Sequence, residues 1–213
     1  MRNREEVLRK IERATPALDL DLDKLLINRT LGLSWDAETD EFYFSSVETD
    51  KPSTKRGILS VGSSLFDPLG FLAPFILPVK VLLQELWCQN IDWDAAIPKR
   101  ELDTWQKWLP SIPQLTKIRI PRCYFATKIT CQTIELHLFC DASEVAYSAS
   151  AYLRIIDDQG GVHCNFVIGK CRSSPIKRPT VPRLELLASV MAVRLSNLVL
   201  SEIDWNIDSV IFE

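Results

Sequence analysis

Thr133-Ile-Glu-Leu-His-Leu-Phe-Cys-Asp141 alternates apolar and polar side chains with a period of two. That period predicts a half-buried β-strand, with Ile134, Leu136, Leu138 and Cys140 facing a core and Glu135, His137, Phe139 and Asp141 facing away. Val145-Ala-Tyr-Ser-Ala-Ser-Ala-Tyr-Leu-Arg-Ile155 reads as a second strand, Asp157-Asp-Gln-Gly-Gly161 as a turn, and Val162-His-Cys-Asn-Phe-Val-Ile168 as a third. A polar, basic loop leads to a helix from about 182 to 203. Its stripe is Leu184, Leu187, Met191, Leu195 and Leu198. Ser209-Val-Ile-Phe-Glu213 is a returning fourth strand. Three antiparallel strands, a helix and a returning strand predict an α/β (α+β) fold with a mixed sheet.

Upstream of this unit the pattern changes twice. Residues 1–50 begin with a charged helical piece, Arg4-Glu-Glu-Val-Leu-Arg-Lys-Ile-Glu12. Arg29-Thr-Leu-Gly-Leu-Ser-Trp35 and Glu41-Phe-Tyr-Phe44 follow, joined as a hairpin by Asp36-Ala-Glu-Thr-Asp40. A lone hairpin is marginal in water, so it needs support from a neighbour. Residues 51–130 read as mainly helical. Thr54 is an N-cap, Asp67-Pro-Leu-Gly70 a turn, and Pro74 and Pro98 mark two further helix starts. Trp87, Trp93, Trp105 and Trp108 have helical spacing and no interleaved basic residues, so they are expected in the core. Asp67 and Asp94 read as turn or cap residues, and not as ligands. The organisation expected is therefore 1–50, 51–130 and 131–213.

Composition narrows the chemistry. With 213 residues, 46% hydrophobic, the chain can build one large or two small cores. A net charge of −3 gives no global attraction to nucleic acid, so such binding needs local clusters. The six cysteines form no Cys-x-x-Cys and the two histidines lie far apart, which argues against zinc and for reduced, buried thiols. The N-terminus is charged from Arg2, and Leu69 to Leu83 is broken by Pro74, Pro78 and Lys80. No signal peptide or membrane span is expected, and an intracellular, cytoplasmic protein is the default.

Two carboxylates stand at element ends, Asp141 after the first strand and Glu185 near the helix start. Such a pair can hold a divalent cation, and Glu185 in a first helical turn would also favour the helix dipole. An acidic residue near a helix start is also common for stability alone. Lys170, Arg172, Lys177, Arg178 and Arg183 crowd the segment before the helix with no acidic residue among them. They read either as phosphate contacts or as a solvated basic loop.

Six short stretches occur in order: Leu31-Gly-Leu-Ser-Trp35, Thr54-Lys-Arg-Gly-Ile-Leu-Ser60, Phe66-Asp-Pro-Leu-Gly70, Ile120-Pro-Arg-Cys123, Phe139-Cys-Asp-Ala-Ser143 and Pro182-Arg-Leu-Glu-Leu186. Together they resemble the Pol polyprotein of BEL/Pao-type LTR retrotransposons, where reverse transcriptase passes into ribonuclease H. The resemblance implies a primer-grip-like hairpin at 29–44, thumb and connection helices at 51–115, and a truncated ribonuclease H-like domain at 131–213. It implies that Asp141 and Glu185 are catalytic carboxylates for Mg²⁺, and that the basic residues touch an RNA–DNA hybrid. A third and a fourth carboxylate would follow Glu213, so cleavage is expected to be absent or weak and Mg²⁺ binding to need downstream sequence. The remaining partners would be other Pol regions, or a second copy paired at an exposed sheet edge. The alternative is a host-retained, non-catalytic binding module. Although this segment is also labelled a Pao-type peptidase, it has no Asp-Thr/Ser-Gly loop. Asp141-Ala-Ser143 and Asp208-Ser-Val210 come nearest and lack the glycine.

Overall fold

A computed structural model describes residues 28–30, 33–124, 131–177 and 179–213. The expected helix at Arg4 to Glu12 and the side chain of Arg178 lie outside the described residues. Among these residues the elements run β1 Asn28–Thr30, β2 Leu33–Asp36, β3 Glu41–Tyr43, α1 Lys55–Ser64, α2 Ala73–Cys88 and α3 Lys99–Trp108. A 3₁₀ segment, Leu109–Lys117, follows. Then come β4 Arg119–Pro121, β5 Cys131–Ala142, β6 Ala146–Asp157, β7 Val162–Ser173, α4 Val181–Glu202 and β8 Ser209–Phe212.

The alternating stretch is the inner part of a four-stranded sheet ordered β7-β6-β5-β8. β5 pairs antiparallel with β6 and parallel with β8, which makes the sheet mixed as expected. Leu136, Leu138, Ala151, Leu153 and Ile155 are wholly buried beneath α4, whose Leu184, Ala188, Ala192 and Leu195 close over them. Alanines on both surfaces (149 and 151 on the strand, 188 and 192 on the helix) leave room for the helix backbone to approach the sheet. By length and composition α4 could cross a membrane. Here its inward stripe is the lid of the sheet's core.

The hairpin leans on the helical region. β4, from the far end of that region, pairs with β3, and Leu33 and Phe44 pack against Leu65, Leu72 and Leu115. The Asp36 carboxylate accepts from the Glu38 N–H at 3.0 Å and so fixes the turn. Arg122 closes the corner by a two-pronged pair with Asp40 while stacking over Trp35. Thr54 caps α1 by accepting from Gly57 N–H at 3.2 Å, Pro74 lies in the first turn of α2, and Pro98 precedes α3. Asp67 binds the N–H groups of Gly70, Phe71 and Leu72 between 2.7 and 3.0 Å, as a turn-and-cap residue should. Asp94 instead forms an exposed ion pair with Arg56.

Two expectations about burial fail. Trp105 is buried and Trp108 half-buried, but Trp87 and Trp93 are 55% and 39% exposed. The two rings stand nearly perpendicular, and the Lys55 ammonium lies 4.6 and 4.7 Å from their centres while donating to the Ile91 carbonyl. A cation held against two aromatic rings explains aromatic exposure that spacing alone reads as core. The cysteines whose side chains are described are also not deeply buried. Cys88, Cys123 and Cys164 are exposed, Cys140 and Cys171 are half-buried, and these five thiols are free. Strand edges and ends, where several of them lie, do not reach the core.

The helical region meets the sheet at the Asp67–Gly70 turn and along α2. Gly70 adopts φ +85°, and a Cβ there would collide with the Gly169 carbonyl of β7. Gly169 N–H donates to the Leu69 carbonyl at 2.8 Å, Phe71 packs on Phe166, and Gln84 of α2 donates to the Ser174 carbonyl at 2.6 Å. The helical region therefore rests on the sheet face opposite α4, over β7.

Candidate active site

β5 and α4 bring Asp141 and Glu185 to the same end of the sheet. β8 follows α4 and runs parallel to β5, so α4 returns along the sheet and its start lies near the end of β5. A contact fixes this: Cys140 Sγ lies 3.8 Å from Ser189 Oγ, and that hydroxyl donates to the Glu185 carbonyl one turn earlier. Both carboxylates are exposed. Asp141 accepts from Ala142 N–H at 2.8 Å and lies directly across from Ser148, which lies across from Cys171. Ser148 is half-buried, so a side chain occupies the position next to Asp141.

Glu185 is not in the first turn. Thr180 precedes the helix, Val181 opens it and Pro182 fits its first turn, so Glu185 is the fifth residue and the first turn holds no acidic residue. The dipole effect fades beyond that turn, and the expected electrostatic reason for a carboxylate here is weakened.

The basic loop is divided among three elements. Lys170 and Arg172 belong to β7, because β6 extends far enough to pair with them through Ala149 and Tyr147. β7 is an edge strand, where exposed charges are tolerated and discourage further pairing. Their cross-sheet rows, Lys170–Ala149–Cys140 and Arg172–Tyr147–Ala142, lie on the α4 face, whereas the row of Asp141 lies on the other. Lys177 is exposed in the connecting segment, and Arg183 is exposed in the first turn of α4.

A charged cluster that the strand pattern did not reveal lies on the face opposite α4. His137 Nε2 is 3.1 Å from Glu135, its Nδ1 is 3.1 Å from Glu213, and Arg154 donates to Glu135 at 2.7 Å. Desolvation lowers the tendency of His137 to hold its proton, but the two carboxylates outweigh it and the net shift is upward. Hydrogen bonds from His137 and Arg154 hold the Glu135 carboxyl below its ordinary range. The period of two gives Glu135 and His137 a shared face, but only the parallel return of β8 adds Glu213. Glu213 exchanges backbone hydrogen bonds with Leu138 and Cys140, so it sits just before Asp141 in register while its side chain turns to His137.

Oxygen ligands from Asp141 and Glu185 are of the kind Mg²⁺ prefers. Among the described residues, however, no three His, Cys, Asp or Glu side chains form a group able to hold a metal ion. The donor set is chemically suitable and too small for a pair of ions.

No curated protein matches the chain. A solved foamy viral protease–reverse transcriptase in complex with double-stranded DNA is 12% identical, with a TM-score of 0.43; the match covers 80% of this chain and 28% of that one. A second structure of the same viral enzyme with double-stranded DNA is 15% identical, with a TM-score of 0.21, over 98% and 41% of the two chains. The present chain thus spans well under half of either relative. The Pao retrotransposon-like RNaseH-like domain model matches residues 54–213. On that match, the chain belongs to the Pao retrotransposon-like RNaseH-like domain family.

Proposed function

We propose that this domain binds RNA–DNA hybrid during retroelement reverse transcription, with Asp141 and Glu185 marking the place where the RNA strand is presented for hydrolysis. The observation that supports this reading is that the end of β5, with Asp141, and the start of α4, with Glu185, lie at the same end of the mixed sheet. Mg²⁺, when held by enough oxygen ligands, activates a water and stabilises the leaving oxygen of a phosphodiester. Asp141 and Glu185 would be the ligands supplied by this chain. Lys170, Arg172, Lys177, Arg178 and Arg183 would position the duplex through its phosphates, and a cytoplasmic setting fits the reading. Asp141 and Glu185 by themselves are expected to hold a pair of Mg²⁺ ions too poorly for hydrolysis of hybrid at a useful rate.

Incubating an end-labelled hybrid with the chain in Mg²⁺ and resolving the products on a denaturing gel tests the catalytic part. Background cleavage, unchanged in Asp141→Asn and Glu185→Gln, is expected. Mg²⁺-dependent cleavage abolished by Asp141→Asn would show that the two carboxylates suffice.

A second reading, a non-catalytic interaction module, has one observation in its favour. Val210 and Phe212 are in register with the buried Leu136 and Leu138 but remain 37% and 51% exposed at the sheet edge. That edge suits further Pol sequence or a second copy of the chain. A concentration-dependent dimer that Phe212→Lys dissolves, with no hybrid binding, favours this reading.

A further inference from the structure

Helix α2 presents a lysine to the face of the sheet that carries Asp141. Gln84 touches the Ser174 carbonyl at the exit of β7. Lys80 lies one helical turn earlier on the same side of α2, about 5–6 Å back along the axis. This places it over the end of β7, beside Cys171. Burial pushes the Cys171 thiol and the Asp67 carboxyl up, and the positive charge of Lys80 opposes both shifts, in keeping with that placement. Cys171, Ser148 and Asp141 form one cross-strand row, so the backbone positions of Cys171, over which α2 passes, and of Asp141 are two strand spacings apart, about 10 Å. That is the rise of about three nucleotides along one strand of a duplex.

Lys80 is exposed and makes no salt bridge among the described residues. Arg154, on the same face, is held by Glu135, and Lys170 and Arg172 lie on the opposite face. We propose that Lys80 is a positioning residue that contacts the nucleic-acid backbone on the Asp141 side of the sheet, steering a duplex phosphate a few nucleotides from the carboxylate pair. This rests on the hybrid-binding reading and adds to it. The helical region does not merely connect, since through α2 it supplies a phosphate contact to the sheet's own site.

The test is fluorescence anisotropy of labelled hybrids of several sequences, over a salt series, with Lys80→Gln, Lys80→Arg and the exposed control Lys107→Gln. Lys80→Gln is expected to weaken all sequences alike, by several-fold, and to reduce the log–log salt slope by about one. Lys80→Arg should restore the slope, and Lys107→Gln should leave it at the wild-type value. A wild-type slope in Lys80→Gln overturns the inference while the hybrid-binding reading stands. A wild-type chain that binds no hybrid overturns both.

Discussion

His137 is the residue whose chemistry is most sensitive to conditions, because it joins β5 to the residue after β8 through two carboxylates. When protonated it donates from both nitrogens. When neutral, one nitrogen turns a lone pair toward a carboxylate oxygen. Its folded pKa lies above the ordinary 6.5, so its contribution is complete below the unfolded value and is lost as pH rises through the higher folded value. Glu135 has the opposite sign: its folded pKa is depressed, and its contribution is lost as pH falls through that value. The cluster is therefore strongest between about pH 5 and 6.5. Thermal melting from about pH 5 to about pH 8.5 should show wild type losing more stability above neutrality than His137→Gln does. Parallel curves would mean that the cluster adds no pH-dependent stability. Asp141 and Glu185 were read from the sequence as a carboxylate pair, but the placement of their elements at one sheet end was not legible in it. That placement depends on the direction in which α4 returns, and no local pattern encodes it. Glu213 was hidden for the same reason, since its partner lies 76 positions away.

Element identity was legible wherever one face is buried. Alternation in β5 and the 3.6-residue stripe of α4 predict both, because each puts one side against a shared core. Leu195→Ala should therefore cost about 2–5 kcal/mol, measured by urea unfolding, since Leu195 is 1% exposed in that core. Thr54→Ala, which removes the α1 cap, should cost about 1 kcal/mol. Equal effects for the two would mean that α4 does not close the sheet. Element boundaries were less legible. Lys170 and Arg172 look like a loop because charge is rare in central strands, yet β7 is an edge and its pairing continues through them. The start of α4 was placed too late because Pro182 was read as its opening residue, when Thr180 precedes the helix and Val181 is its first residue. Trp87 and Trp93 were misassigned because their partner, Lys55, comes from another helix.

At the scale of the whole molecule the helical region and the sheet act as one support. The contact at Gly70 and Gly169 leaves no room for a side chain, so Gly70→Ala should lower the melting temperature and loosen α2 from β7. Hydrogen exchange at the Gly169 amide would report it. If that amide stays protected and stability is unchanged, the junction is not close-packed. The junction carries Lys80 toward the Asp141 face, while the basic residues of β7 flank α4, so any duplex would meet charge from both sides of the sheet end. Hybrid binding by the domain is tested most directly by a competition titration. A labelled RNA–DNA hybrid is bound to the chain over a salt series and displaced by unlabelled hybrid or by DNA duplex of the same sequence. Binding that falls steeply with salt, with hybrid the better competitor, is the result predicted. Affinity that ignores salt, or no binding at low salt, would contradict it.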